Sequence, residues 1–114
     1  MGSRADLEKI VGATNVDERP VRDLWPVHIM EERAGNARER VVVARPANRA
    51  QLSELLRWAT AEAVAVTPMG GATGMCGALS PESGEVVVDM GAFDRVLEVD
   101  ETNLLVRCEA GVNG

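Results

Sequence analysis

The feature that most constrains this chain is a succession of four units between Arg40 and Gly77: an apolar strand, a capped helix, a second apolar strand and a glycine-rich loop. "RVVVAR" carries successive valines Val41–Val43 and is stopped by Pro46, which predicts a buried strand. A helix follows, with Asn48 placed to cap it and Gln51 three residues on as the capping-box partner. Leu52, Leu55, Leu56, Ala59 and Ala63 recur at helical spacing, so one face is expected to be apolar. "AVAVTP" then reads as a second strand. Strand, helix and strand in that order predict a parallel crossover, with the glycine loop leaving the carboxyl end of the second strand.

Beyond the loop the pattern changes. "EVVVDM" is another apolar strand, entered through the turn signal "SPESG". "RVLEVDETNLLVRCEAG" reads as a hairpin, two alternating strands joined around Asp100–Asn103. Upstream, Arg4–Val11 is expected to be a short helix. Asn15–Arg40 reads as loop, broken by Pro20, Pro26 and Gly35, with Trp25, Ile29 and Met30 of "RDLWPVHIM" packing back on the body. The fold class is therefore α/β (α+β): a small parallel β-α-β unit followed by an antiparallel hairpin. It divides into an N-terminal segment, 1–39, and a second unit, 40–114.

Composition removes several function classes. The chain has 114 residues, the size of one small domain or of a piece of a larger one, and a net charge of −6. Lys9 is the only lysine and the arginines are dispersed, so no basic footprint for nucleic acid exists. Trp25, Trp58 and Phe93 are the only aromatic residues, too few for a base-stacking platform. Cys76, Cys108 and His28 lack the spacing of a metal site, and no metal is expected. The chain lacks both an apolar run of membrane-spanning length and the apolar core of a signal peptide, so a cytoplasmic location is the expectation.

The glycine loop fails the standard nucleotide motifs. Gly71, Gly74 and Gly77 are spaced G-x-x-G-x-x-G, not G-x-G-x-x-G, and Pro81 prevents a long helix from opening there. A phosphate loop of the Gly-Lys-Ser/Thr kind needs a lysine, and Val64–Ser80 contains no charged residue. Two readings remain: a turn in which glycine serves backbone geometry, and a nest of N–H groups converging on an anion, with the Thr73 hydroxyl as a further donor. Asp89, Asp94 and Asp100 follow a strand and two turns, where turn chemistry accounts for them better than a carboxylate cluster. "EER" at Glu31–Arg33 and "RER" at Arg38–Arg40 read as solvated loop.

Taken together, "P-x-G-G-x-T-G-x-x-G" after a short strand, then "VVVDM", then "RVLEVDETNLLVRCEAGV", resemble the FAD-binding domain of the vanillyl-alcohol oxidase/p-cresol methylhydroxylase (PCMH-type) superfamily. Within it, the sequence is most similar to the alkylglycerone-phosphate synthase and glycolate oxidase/D-lactate dehydrogenase branches. "VARPANRAQLSELLRWA" resembles the segment that precedes the loop in those proteins. The resemblance spans Arg40–Gly114 and implies that backbone amides of the loop cradle the FAD pyrophosphate. Position by position that role falls on Pro68, Met69, Gly70, Gly71, Ala72, Thr73 and Gly74, with Gly77 shaping the end of the turn.

Two positions depart from the family pattern. Ala72 stands where glycine is usual, and a methyl there is expected to be tolerated only at negative φ and away from the phosphate. Met69 stands where one branch carries arginine. Thr73 occupies the place of the histidine that attaches flavin covalently in some relatives, which implies non-covalent FAD. His28 reads as a structural or surface residue, and Cys76, where relatives carry a small residue, as an ordinary thiol. The resemblance further implies that this is the N-terminal part of an FAD-linked oxidoreductase acting on a 2-hydroxy acid or related alcohol. The substrate and flavin-ring sites would then lie in a C-terminal part or a partner subunit, and no catalytic residue falls within these 114 positions. The competing reading is a truncated remnant or interaction module that no longer binds flavin.

Overall fold

In the computed structural model, residues 4–24, 40–74, 76–81 and 84–114 are described. Helix α1 (Arg4–Val11) leads through a short 3-10 turn into strand β1 (Val16–Pro20), and a second 3-10 turn follows at Val21–Asp23. Then come β2 (Arg40–Ala44), α2 (Arg49–Ala61), β3 (Val66–Met69), β4 (Val86–Asp89), β5 (Val96–Asp100) and β6 (Leu105–Cys108). Four strands form one sheet in the order β1-β2-β4-β3, and β5 and β6 form a separate antiparallel pair.

The strand–helix–strand unit is present, with one difference from a simple crossover. β2 and β3 are not neighbours. β4 runs parallel to both and lies between them, pairing Val42 with Val86 on one side and Val66 with Val86 on the other. The central place falls to the most apolar segment: Val86, Val87 and Val88 are 3%, 0% and 2% exposed, as a strand covered on both faces must be. A second difference is β1, within the stretch whose composition reads as loop. Only Val16 of its residues is buried, it carries Asp17, Glu18 and Arg19, and it ends in Pro20. Charges and a terminal proline are how an edge strand is protected from further pairing, and they hide its strand character. Trp25, His28, Ile29 and Met30 lie outside the described residues.

Strand alternation sorts the core into two faces. On the first, Ala44, Val86 and Val88 meet Leu7 and Val11 of α1 and Leu55 of α2. On the second, Val41, Val43, Met69 and Val87 meet Val21 and Leu24 from the turn after β1. Ala72 and Leu79, from the two sides of the glycine loop, pack onto this second cluster. The loop thus folds back over the face of the sheet that the helices leave uncovered.

Asn48 caps α2 as its position predicts: its Oδ1 accepts from the Gln51 N–H at 2.9 Å. The Gln51 side chain reaches one residue further back than in a standard capping box, accepting from the Ala47 N–H at 2.8 Å. The helix is rotated relative to the expected stripe. Leu55 and Ala59 are buried, with Leu52 and Trp58 packed partly against the first cluster, while Leu56 is 46% exposed. Ala63 lies beyond the helix, at φ +53. There its N–H donates to the Thr60 carbonyl and the Val64 N–H to the Ala59 carbonyl, the pair of bonds that closes a helix with a left-handed residue.

Candidate functional site

β2, β4 and β3 are parallel, so their carboxyl ends share one edge, where open α/β sheets place their ligands. Two connections start there. From β3 the chain enters Gly70–Gly77. From β4 it passes Met90–Phe93 and returns, after the hairpin, through Glu109–Gly114. The edge is tied by Asp89, whose carboxylate faces Arg45 at 3.4 Å and accepts from the Gly91 N–H at 2.8 Å.

The returning tail is pinned close to the sheet. Gly111 donates its N–H to the Phe93 carbonyl at 2.8 Å, and a Cβ at this position would lie 1.9 Å from the Met90 carbonyl oxygen. Only glycine permits that approach. The tail then runs beside the loop. Ideal Cβ positions on Gly70 and Gly71 would stand 3.5 Å from the Ala110 carbonyl oxygen and 4.0 Å from Asn113 Oδ1. Nothing in the local sequence around Asn113 signals this neighbour; it follows from where the hairpin delivers the chain.

Pro68, Met69, Gly70, Gly71, Ala72, Thr73 and Gly74 all line one cavity of about 310 Å³, together with Cys76, Ala78 and Leu79. Seven of the eight loop residues that the sequence singles out are therefore brought together, and Gly77 is not among them. Gly77 sits at φ +81, the left-handed value that only glycine takes freely, and turns the chain beyond the cavity. Within the lining the parts differ. Met69 is 7% exposed, its side chain belongs to the second core cluster, and its carbonyl accepts from the Met90 N–H at 2.8 Å. It shapes the floor and offers a ligand little. Ala78 and Leu79 are lining residues that the motif does not mark, because their contribution is apolar contact rather than a pattern.

The conformation of the loop bears on the two readings of its glycines. Gly70, Gly71 and Gly74 do not take left-handed φ values. Nor does close packing demand glycine at them: added Cβ atoms would meet ordinary van der Waals distances at Gly70 and Gly71, and nothing within 4 Å at Gly74. Turn geometry therefore accounts for Gly77 but leaves these three unexplained. What they share is backbone bared toward a cavity.

None of the N–H groups of Gly70, Gly71, Ala72, Thr73 and Gly74 donates a hydrogen bond to another described residue. Consecutive uncommitted amides form a partial positive field, and no charged side chain lies within Val64–Ser80 itself. An anionic group of the size of a phosphate or pyrophosphate suits this site, with Thr73, exposed on the loop, able to add a hydroxyl.

Ala72 departs from its expected geometry: φ is +56, not negative. The residue is accommodated because its methyl packs on the second core cluster instead of standing free. Elsewhere, no metal-binding group of three or more ligands exists among the described residues. Cys76 and Cys108 are free and exposed. Asp100 spends its carboxylate on the N–H groups of Thr102 and Asn103 and on the Asn103 side chain, which is turn chemistry and holds it below the usual carboxylate range.

Comparison with known proteins places these observations. A family model described as an FAD binding domain matches residues 41–114. A probable mitochondrial D-2-hydroxyglutarate dehydrogenase of Oryza sativa subsp. indica is 35% identical over 66 residues, which is 58% of this chain and 12% of that protein. Among solved structures, an alkyldihydroxyacetonephosphate synthase superposes with a TM-score of 0.73 at 19% identity, covering 95% of this chain and 22% of its own. p-Cresol methylhydroxylase with substrate bound gives 0.69 at 14% identity, covering 96% of this chain and 22% of that one. These structures share the fold, and the chain spans about a fifth of their length or less.

Proposed function

The chain belongs to the FAD binding domain family, with FAD as its cofactor, and we propose that Pro68–Gly74 is the cradle for the FAD pyrophosphate. The observation that supports this most is the row of uncommitted amides from Gly70 to Gly74, flanked by glycines that neither turn geometry nor packing requires. Gly70, Gly71, Ala72, Thr73 and Gly74 supply backbone donors. Gly74 leaves the space for a phosphate to reach them, and Leu79 and Met69 form the apolar floor. Thr73 offers a hydroxyl and no imidazole, which supports non-covalent attachment. The redox chemistry is that of the flavin ring, and the residues of this chain hold the other end of the cofactor.

The activity proposed for the whole protein is oxidation of a 2-hydroxy acid. This reading is supported by the D-2-hydroxyglutarate dehydrogenase relative, while the groups that would contact the substrate belong to a further part of the chain or a partner subunit. Thermal unfolding in the presence of FAD, ADP and riboflavin tests the cradle. FAD and ADP carry the pyrophosphate and riboflavin does not. FAD at a hundredfold excess over its Kd is expected to stabilise the chain by about 2.7 kcal/mol, ADP to do so at higher concentration, and riboflavin to leave Tm unchanged. Equal responses to riboflavin and ADP would overturn the pyrophosphate cradle, and no response to any of the three would favour the flavin-free module.

A further inference from the structure

Within Gly70–Gly74 the residue at left-handed φ is not a glycine. Ala72 takes φ +56, while Gly70, Gly71 and Gly74, with freedom to do so, stay out of the left-handed range. An L-residue in this conformation is strained, because its Cβ crowds the following carbonyl oxygen. Something must hold it there. The contacts supply the reason: the half-buried methyl packs on the second face of the sheet, against the cluster containing Met69 and Val87, to which Leu79 also packs.

We propose that Ala72 is a positioning residue, a methyl anchor that fixes the turn so that the amides of Gly70–Gly74 are arrayed before an anion arrives. The inference rests on the reading of the loop as a pyrophosphate cradle. Glycine at position 72 would accept the same φ without strain, yet would make a run of three glycines with no side chain tied to the sheet. Such a loop samples many arrangements, and ordering it falls on the binding step. Alanine moves that ordering into folding. Strain and methyl packing oppose one another in stability, but removing the methyl acts in one direction on loop order: it loosens it.

The test uses the intact 114-residue chain and the variants Ala72→Gly and Ala72→Ser, the second keeping a Cβ on the same anchor. Backbone 15N order parameters without ligand are expected near about 0.85 for residues 70–74 in the unaltered chain and in Ala72→Ser, and below about 0.6 in Ala72→Gly, with β4 the same in all three. ADP and FAD affinities should fall by about threefold to tenfold in Ala72→Gly and stay within about twofold in Ala72→Ser. Tm should differ by no more than about 2 °C, because the two stability effects offset each other. Unchanged order parameters, or equal or tighter nucleotide binding in Ala72→Gly, sink the anchor while the cradle stands. Failure of the unaltered chain to bind either nucleotide sinks the cradle and the anchor with it.

Discussion

Two strand pairs of similar apolar composition meet opposite fates in this molecule. In the four-stranded sheet, Val41, Val43, Val86, Val87 and Val88 are each 3% exposed or less. In the hairpin, Leu97, Val99, Leu105 and Val106 are exposed by 52%, 62%, 62% and 62%. Apolar runs raise strands in both places, but burial depends on what lies across the face. The sheet has α1 and α2 on one side and the Val21–Leu24 turn with the glycine loop on the other. The hairpin is anchored at its base, where Arg95 and Glu109 pair at 2.7 Å and Gly111 bonds Phe93. Beyond that base, both its faces are open among the described residues. A two-stranded ribbon of this kind has little stability of its own.

The largest expected effect sets the same substitution in the two regions. Leu55→Ala removes a fully buried side chain beneath the sheet and should cost about 3 kcal/mol in urea unfolding. Leu105→Ala, in the hairpin, should change stability by no more than about 0.5 kcal/mol. Equal costs would mean that the hairpin is packed in solution in a way that erases the contrast.

A smaller effect compares the non-glycine residues at positive φ. Ala63 at the end of α2 and Leu104 at the hairpin turn, the latter 87% exposed, are strained without a packing return. Ala63→Gly and Leu104→Gly should therefore each stabilise by about 0.5–1 kcal/mol, strain relief exceeding the added freedom of the unfolded chain. Ala72→Gly should be near neutral, because its methyl is packed. A gain at position 72 matching the other two would show that its packing contributes nothing.

The smallest effect is electrostatic and confined to the hairpin base. The Arg95 guanidinium, by its hydrogen bonds, holds the Glu109 carboxyl below the usual carboxylate range. A carboxyl with a lowered folded pKa contributes stability that is present above its unfolded value and is lost as pH falls through the folded one. Amide shifts at Arg95 and Glu109 should thus follow an acid transition below the usual carboxylate range, absent in Glu109→Gln. Residues of β4 should not sense it. With Arg95 mostly exposed, global stability should hardly move.

What was legible in the sequence was local. The Asn48–Gln51 cap, the valine strands and the glycine loop after β3 are each specified by residues close together, and each is in place. The strand order was not legible, because nothing in "EVVVDM" says that it will enter between two strands formed earlier. β1 was hidden by the charges that protect its edge. Trp58 packs partly against the first cluster, while Leu56, which spacing assigned to the apolar face, is 46% exposed. At the site, the motif marked seven of the residues that line the cavity but not the apolar Leu79 and Ala78, nor Asn113, which arrives from a distant segment. The φ of Ala72 ran against expectation for a tertiary reason: a core contact holds a conformation that local preference disfavours.

The central claim is that the loop glycines are bare for a ligand and not for the fold. Gly74 isolates it, being neither left-handed nor within 4 Å of any described atom at its Cβ position. The most direct measurement is FAD affinity, by titration of flavin fluorescence, for the unaltered chain and Gly74→Val, with Tm recorded for both. The account predicts a loss of about tenfold or more in affinity, beyond about 1.4 kcal/mol, with Tm nearly unchanged. Gly74→Val binding FAD as tightly as the unaltered chain would contradict it.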